Sequence, residues 1–335
     1  MDHQENDHRQ APLRLAILGY GNLGRGVEKA MRHNPDMTLT GIYTRRDPAS
    51  VKPASGAAVH AVGDLMAHRS AIDVLILCGG SKDDLPVQTP EYARHFNVVD
   101  SFDTHARIPE HFAKVDAAAR AGRTTALISA GWDPGLFSIN RVMSDALLPD
   151  GATYTFWGKG LSQGHSDAIR HVPGVAGGVQ YTIPVAEAME KARGGARPQL
   201  STREKHKREC FVVLKPGADA EAVRQAIVTM PNYFSDYDTT VHFIGADELA
   251  RDHAGMAHGG FVIRSGDTSG QVKHVIEYRL QLGSNPEFTS SVLVAGARAV
   301  HRLHQAGQHG CTTMLDLSPA LLSPRSASQL RAEYL

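Results

Sequence analysis

The sequence predicts an α/β protein built on a doubly wound parallel sheet, followed by a second α+β domain on a mixed sheet. Three observations carry this. Short apolar runs alternate with helix-compatible segments from residue 13 to 131, a glycine-rich turn joins the first run to the first helix, and from about Gly151 longer alternating segments take over.

The first run, LRLAIL, leads straight into Gly19-Tyr20-Gly21-Asn22-Leu23-Gly24 and then the helical segment RGVEKAMRH. Three glycines at this spacing suit a tight turn, a close approach of backbone to pyrophosphate, and packing of helix on strand, with the phosphates at the helix N-terminus. This is the phosphate-binding turn of a Rossmann-type fold. The second strand, TLTGIYT, ends at Thr44-Arg45-Arg46, where an NAD enzyme carries an acid for the ribose hydroxyls. Two arginines there favour the 2′-phosphate of NADP, because a guanidinium matches phosphate geometry; Asp47 as a ribose acid is the rival reading.

The segment from Asp47 to Ser70 reads as loop. Asp73 to Cys78 is a continuous apolar run, as expected of a parallel strand covered on both faces, and it delivers Cys78-Gly79-Gly80-Ser81 to the cofactor end of the sheet. A helix near TPEYARHF, a strand NVVD ending at Asp100, a helix over 109–121 and a strand TTALISA before Gly131-Trp132-Asp133-Pro134-Gly135 complete the alternation. In the second half the strands are ATYTFWG, REKHKRECFVVL, TVHFIG and HVIEYRLQLG, with fewer helices between them. The stretch from Phe288 to Gln305 has helical spacing and is expected to pack back on the nucleotide domain. The expected division is a tail at 1–12, a dinucleotide-binding domain at 13–131 plus about 286–335, and a substrate domain at 132–285.

Composition narrows the function. A chain of 335 residues exceeds what one core usually organises. Lysine plus arginine and aspartate plus glutamate stand at 35 each, so no global basic field recruits nucleic acid or an anionic membrane. The polar start MDHQENDHRQAP is neither signal peptide nor anchor, and no apolar run nears the roughly 20 residues of a membrane span, so a soluble cytoplasmic protein is expected. Three cysteines without CxxC spacing argue against a disulfide framework, and 18 scattered histidines without HExxH argue against a metal.

Ligands of such sheets bind beyond the carboxyl ends of the strands. Asp100 and Asp103 follow one strand and Asp133 another, so two carboxylates from separate strands are expected near the nicotinamide. Their rival readings are helix caps and a turn-forming Asp. Converging carboxylates suit an ammonium, which points to an amine substrate. The second domain offers Thr182, Arg208, His258 and Asn285, types that hold a carboxylate or an amino-acid head, although a basic run such as 203–208 is more often a solvated strand edge than a ligand clamp.

At SAGWDPGLFSIN and TFWGKGLSQGHSDA the chain resembles the meso-diaminopimelate D-dehydrogenases. The likeness extends through GYGNLGR, TRRD, VVDSFD, VQYTIP, HKREC, TMPNYF, GMAHGGF and NPEFT. It implies an NADP-dependent homodimer that oxidises the D-centre of meso-2,6-diaminopimelate to L-2-amino-6-oxopimelate with release of ammonia, reversible as reductive amination. It further implies that Asp100, Asp133, Gln163, Gly164 and Asp167 hold the D-centre between Trp132 and Trp157, that the SQGHSDA segment is a loop, and that Thr182, Arg208, His258 and Asn285 grip the L-centre. Asp133 is expected to orient the amine and take or relay its proton, with Asp100 sharing the task. A dihydrodipicolinate-reductase-like enzyme and a non-catalytic NADP(H) sensor are the alternatives.

Overall fold

The computed structural model describes residues 11–335, so the expected tail lies almost wholly outside the described residues. Its strands are β1 (Leu13–Leu18), β2 (Met37–Thr44), β3 (Val59–Ala61), β4 (Val74–Leu77), β5 (Asn97–Asp100), β6 (Thr125–Leu127), β7 (Gly151–Trp157), β8 (Gly160–Leu161), β9 (Val175–Pro184), β10 (His206–Leu214), β11 (Asp238–Phe243), β12 (His258–Asp267), β13 (Lys273–Leu282) and β14 (Gly310–Thr312). The chain divides into two units, one running to Ser138 and resuming over Pro286–Leu335, the other Ile139–Asn285. The sequence had placed the first boundary at 131/132.

In the first unit seven strands lie in the order β14-β6-β5-β4-β1-β2-β3, all parallel. The order reverses between β1 and β4, which makes the carboxyl ends of these two strands the switch point where such sheets bind ligands. Every residue of β4 is buried, as its unbroken VLIL requires once helices cover both faces. Helix Asn22–Met31 packs on helix Asn285–Gln305 through Gly26, where a Cβ would come within 2.3 Å of the Ser290 Oγ. That hydroxyl donates to the carbonyl of Leu23 at 2.8 Å, so the late helix braces the early one.

Several expectations are corrected. The stretch read as loop after Arg46 contains β3, which extends the sheet beyond β2; three residues are too few to show a period. The helix expected near TPEYARHF spans Leu85–Tyr92, opened by Pro86 in its first turn. TTALISA forms a strand only over β6. The final strand, β14, went unnoticed because GCT carries no apolar run, and its pairing with β6 supplies the context.

The second unit holds a four-stranded sheet, β11-β10-β9-β8, and a three-stranded sheet, β13-β12-β7. Only β10 and β11 run parallel, so the first sheet is mixed. Helices are more numerous than expected: Gln163–Arg170, Ala186–Arg193, Ala220–Val228 and Ala246–Asp252 lie between its strands. The SQGHSDA segment is therefore helical and not a loop. REKHKRECFVVL divides, with Ser201 capping a helical turn over Thr202–Lys205 before β10 begins at His206. One core gathers Ile169, Val175, Cys210, Val212, Ile227 and Phe234, and a second Tyr154, Phe156, Ala192 and Ile263.

Candidate active site

At the switch point Gly19 has φ +94°, a conformation that L side chains rarely adopt, and a Cβ on Gly24 would stand 2.2 Å from the Gly19 carbonyl oxygen. Gly21 is different: nothing lies within 4 Å of its would-be Cβ. That open space lies at the N-terminus of helix Asn22–Met31, where Gly21 caps without a side-chain hydrogen bond. Gly21 has no side chain to compete for the first-turn amides, the arrangement that suits a phosphate. Tyr20 is fixed by its hydroxyl on the buried Glu28, whose carboxylate also accepts from Ser55 N, and its carbonyl accepts from Arg46 Nη2 at 2.7 Å.

Thr44 is buried, with its hydroxyl accepting from Arg46 N at 3.1 Å, whereas Arg45 extends into solvent and meets Asp84 at 2.8 Å. Asp84 in turn accepts from Gly80 N at 2.8 Å, joining the arginine to the Cys78-Gly79-Gly80-Ser81 loop beyond β4. Asp47 caps the turn Pro48–Ser50 by accepting from Ala49 N, a local task that accounts for it without a ribose. The residues fit NADP: a glycine cradle for pyrophosphate, and guanidiniums beyond β2 for a 2′-phosphate.

The acidic end departs from expectation. Asp100 is fully buried, and its carboxylate accepts from Thr89 Oγ1 (2.7 Å), His111 Nε2 (2.8 Å), Ser129 N (2.8 Å) and Phe102 N (3.0 Å). A carboxylate with four donors and no solvent access has no lone pair to offer a substrate amine, so Asp100 is removed from the substrate-binding and proton-accepting set. Asp103, three residues on, is exposed, with its amide donating to Ser81 Oγ at 2.9 Å. Asp133 is partly exposed in a tight turn, where Trp132 bridges Gly135 and sets its ring edge-on to Phe137 at 5.3 Å. Beyond β5 and β6, Asp103 and Asp133 are therefore the carboxylates open to solvent.

In the second unit Arg208 is 6% exposed, although the basic run reads as a solvated edge. Register explains it: Arg208 pairs with Thr182 across β10 and β9, and on this face the alternate residues His206, Arg208, Gln180 and Thr182 are all buried. The guanidinium donates to Thr182 Oγ1, lies 3.4 Å from His165 Nε2 and sits 3.9 Å over the Tyr237 ring. Its Nε and the Gln180 Oε1 are buried without a hydrogen-bond partner, and among the described residues no carboxylate pairs with it. Burial lowers its pKa. A buried cation with an unused donor is an anion site awaiting its anion.

His165, Gln180, His206 and Tyr237 surround Arg208 and were not singled out in the sequence; the buried-polar alternation on β9 and β10 is the signal that could have found Gln180 and His206, whereas His165 on helix Gln163–Arg170 and Tyr237 just before β11 carry no such pattern. Trp157 stacks on His206 at 5.3 Å and donates its amide to His206 Nε2 at 2.9 Å. Gln163 reaches Met256 Sδ at 3.1 Å, and the Met256 carbonyl accepts from Asn285 N at 2.8 Å. His258 lies against Gly160, where a Cβ would stand 2.3 Å from its ring. Gly164 is open on its Cα side. Asp167, expected at the D-centre, lies on the exposed face of its helix and pairs with Arg170 at 3.2 Å.

Burial and, after it, the Arg208 charge pull His206 down to about 3 and His165 to about 4, and burial lowers His258 as well. Unfolded, these imidazoles take up protons near 6.5. Between about 6.5 and the folded values the unfolded state therefore binds more protons, and stability falls with pH through that window. We expect the drop in Tm between about pH 7 and 5 to shrink in His206→Gln; an unchanged drop would remove His206 from the cause.

Among the described residues no group of three or more His, Cys, Asp or Glu could hold a metal, and no helix is long and apolar enough to cross a membrane. Residues 131–284 match the family model of the diaminopimelic acid dehydrogenase C-terminal domain. The chain is 59% identical over 323 residues to the meso-diaminopimelate D-dehydrogenase of Lysinibacillus sphaericus, covering 96% of this chain and 99% of that protein. Its fold matches a six-fold substituted meso-diaminopimelate dehydrogenase of Clostridium tetani E88 solved with DAP (TM-score 0.92, 51% identity, 96% of this chain and all of the other). It also matches an engineered D-amino acid dehydrogenase bound to NADP⁺ (TM-score 0.86, 45% identity, 97% of this chain and all of the other).

Proposed function

The chain belongs to the meso-diaminopimelate D-dehydrogenase family, and from that premise we propose that it oxidises the D-centre of meso-2,6-diaminopimelate to L-2-amino-6-oxopimelate, using NADP⁺ and releasing ammonia, with reductive amination as the reverse. The observation that carries this reading is the buried, carboxylate-free Arg208. It calls for a substrate with an acid group, and Asp103 and Asp133 are carboxylates of the type that holds an ammonium.

NADP⁺, when bound at the Gly19–Gly24 turn, supplies the hydride acceptor. The protein must orient the D-ammonium and receive its proton, because only the free nitrogen lone pair stabilises the cationic imine left on the substrate; water then adds to it and ammonia departs. We assign proton acceptance or relay to Asp133, with Asp103 as second carboxylate in place of Asp100. Trp132 and Trp157 serve as apolar walls, Gln163 and Gly164 contact the D-centre, and Thr182, Arg208, His258 and Asn285 hold the L-centre. The six substitutions of the Clostridium tetani protein support this set: they fall on Gln, Thr, Arg, Pro, His and Asn in the order and spacing of Gln163, Thr182, Arg208, Ala257, His258 and Asn285 here. Ala257 is the one departure in type.

NADPH formation with the meso, LL and DD isomers, and with NAD⁺ in place of NADP⁺, tests the whole reading. Activity confined to the meso isomer with NADP⁺ is the expected result, and equal activity on LL would overturn the D-centre assignment. Arg45→Ala should raise KM for NADP⁺ about tenfold, as the loss of one charge-assisted contact implies, and leave NAD⁺ use unchanged. Wild-type protein that uses NAD⁺ equally well would exclude the 2′-phosphate role.

The second unit also serves, in this reading, as the dimer contact: Val142, Met143, Leu147, Val272 and Val275 are each 45–66% exposed, an apolar set that a second copy would cover. Light scattering that returns the mass of one chain would reject it. The three cysteines are unpaired, as suits the reducing cytoplasm.

A further inference from the structure

We infer that Asp100 and His111 form a buried positioning pair that sets the two loops bearing Asp103 and Asp133, without touching substrate. The inference deepens the proposed function and rests on its assignment of those two carboxylates. One residue ties four segments together. Asp100 Oδ2 accepts from Thr89 on helix Leu85–Tyr92 and from His111 on helix Ile108–Gly122, while Oδ1 accepts from Phe102 N in the Asp103 loop and Ser129 N in the Asp133 loop. Its carbonyl also accepts from Ala130 N at 2.9 Å.

The loop before Asp133 is held against its own preference, and the loop bearing Asp103 is pinned by packing. Ser129 has φ +55°, a left-handed conformation that side chains disfavour, and its hydroxyl is buried without a partner. The Ser129 and Ala130 amides are gripped by the side chain and carbonyl of Asp100, which over-determine that conformation four residues before Asp133. On the other side the His111 ring stacks on Phe102 at 4.2 Å and 26°, pressing the residue next to Asp103 into the core. At 3% exposure His111 has no solvent to compete with the carboxylate for its proton. Asp100 therefore acts through Asp103 and Asp133, by geometry.

Asparagine at position 100 would present an amide NH₂ to one of the two donor pairs and release it. For Asp100→Asn we expect kcat/KM for meso-diaminopimelate to fall about 10- to 100-fold, the scale of a misplacement near 1 Å, with NADP⁺ Kd within about twofold of wild type. His111→Gln, which keeps an N–H within reach of the carboxylate, should hold about half of the activity or more, and His111→Ala should lose about tenfold. Unchanged kcat and KM in Asp100→Asn, or NADP⁺ affinity lost in parallel, would overturn the pair's role. Should Asp100→Asn fail to fold, the two His111 variants decide: equal activity of Gln and Ala overturns the inference. Asp103→Asn, assayed beside them, separates the levels, since wild-type kinetics there would overturn the amine assignment itself.

Discussion

Asp133→Asn is expected to lower kcat by about two orders of magnitude or more, the usual cost of losing a general base, with folding intact. The side chains are nearly isosteric, and the turn that holds position 133 is built from backbone contacts: Leu136 N to the Gly131 carbonyl at 3.1 Å and Phe137 N to the Trp132 carbonyl at 2.8 Å. The substitution removes the negative charge while those backbone contacts stay in place. A base role predicts that kcat falls at every pH in the accessible range. If Asp133 only shapes the turn, turnover stays near normal, and that result would pass the proton-accepting role to Asp103.

Arg208→Met is expected to lower kcat/KM for meso-diaminopimelate about 100- to 1,000-fold, as truncating one member of a desolvated charge pair does. Preference should move toward D-amino acids with apolar side chains. In the native pocket such a substrate leaves a buried guanidinium without its anion; methionine removes that penalty and fills the volume. The measurement is the ratio of kcat/KM for meso-diaminopimelate to that for an apolar D-amino acid, in wild type and variant. An unchanged ratio would take Arg208 out of the site. The neutral neighbours His165 and His206 sharpen the expectation, because their lowered pKa values leave Arg208 as the cation there near neutral pH.

The parallel sheet was legible because buried strands such as VLIL and NVVD announce themselves, and the glycine turn because its chemistry needs three glycines at fixed spacing. Asp100 was misread for a physical reason. A strand-end aspartate looks the same in sequence whether it faces solvent or turns inward, and the choice was made by Thr89 and His111, which come from two different helices. Arg208 was recognised as a candidate, with a buried clamp and a solvated strand edge as competing readings. Alternation on one strand shows that a face exists, and only the register with β9 shows that this face is covered. The short strands β3 and β14 needed a neighbour already in place to be strands at all.

β14 and helix Asn285–Gln305 have a bearing on how the protein is made. The strand that closes the β6 edge and the helix whose Ser290 braces the phosphate turn are encoded after the whole second unit. During synthesis the edge of β6 stays open, and helix Asn22–Met31 lacks its brace, until translation has passed about residue 312. A nascent chain stalled inside the second unit is therefore expected to bind dinucleotide more weakly than the full chain, which a binding assay on stalled chains would check.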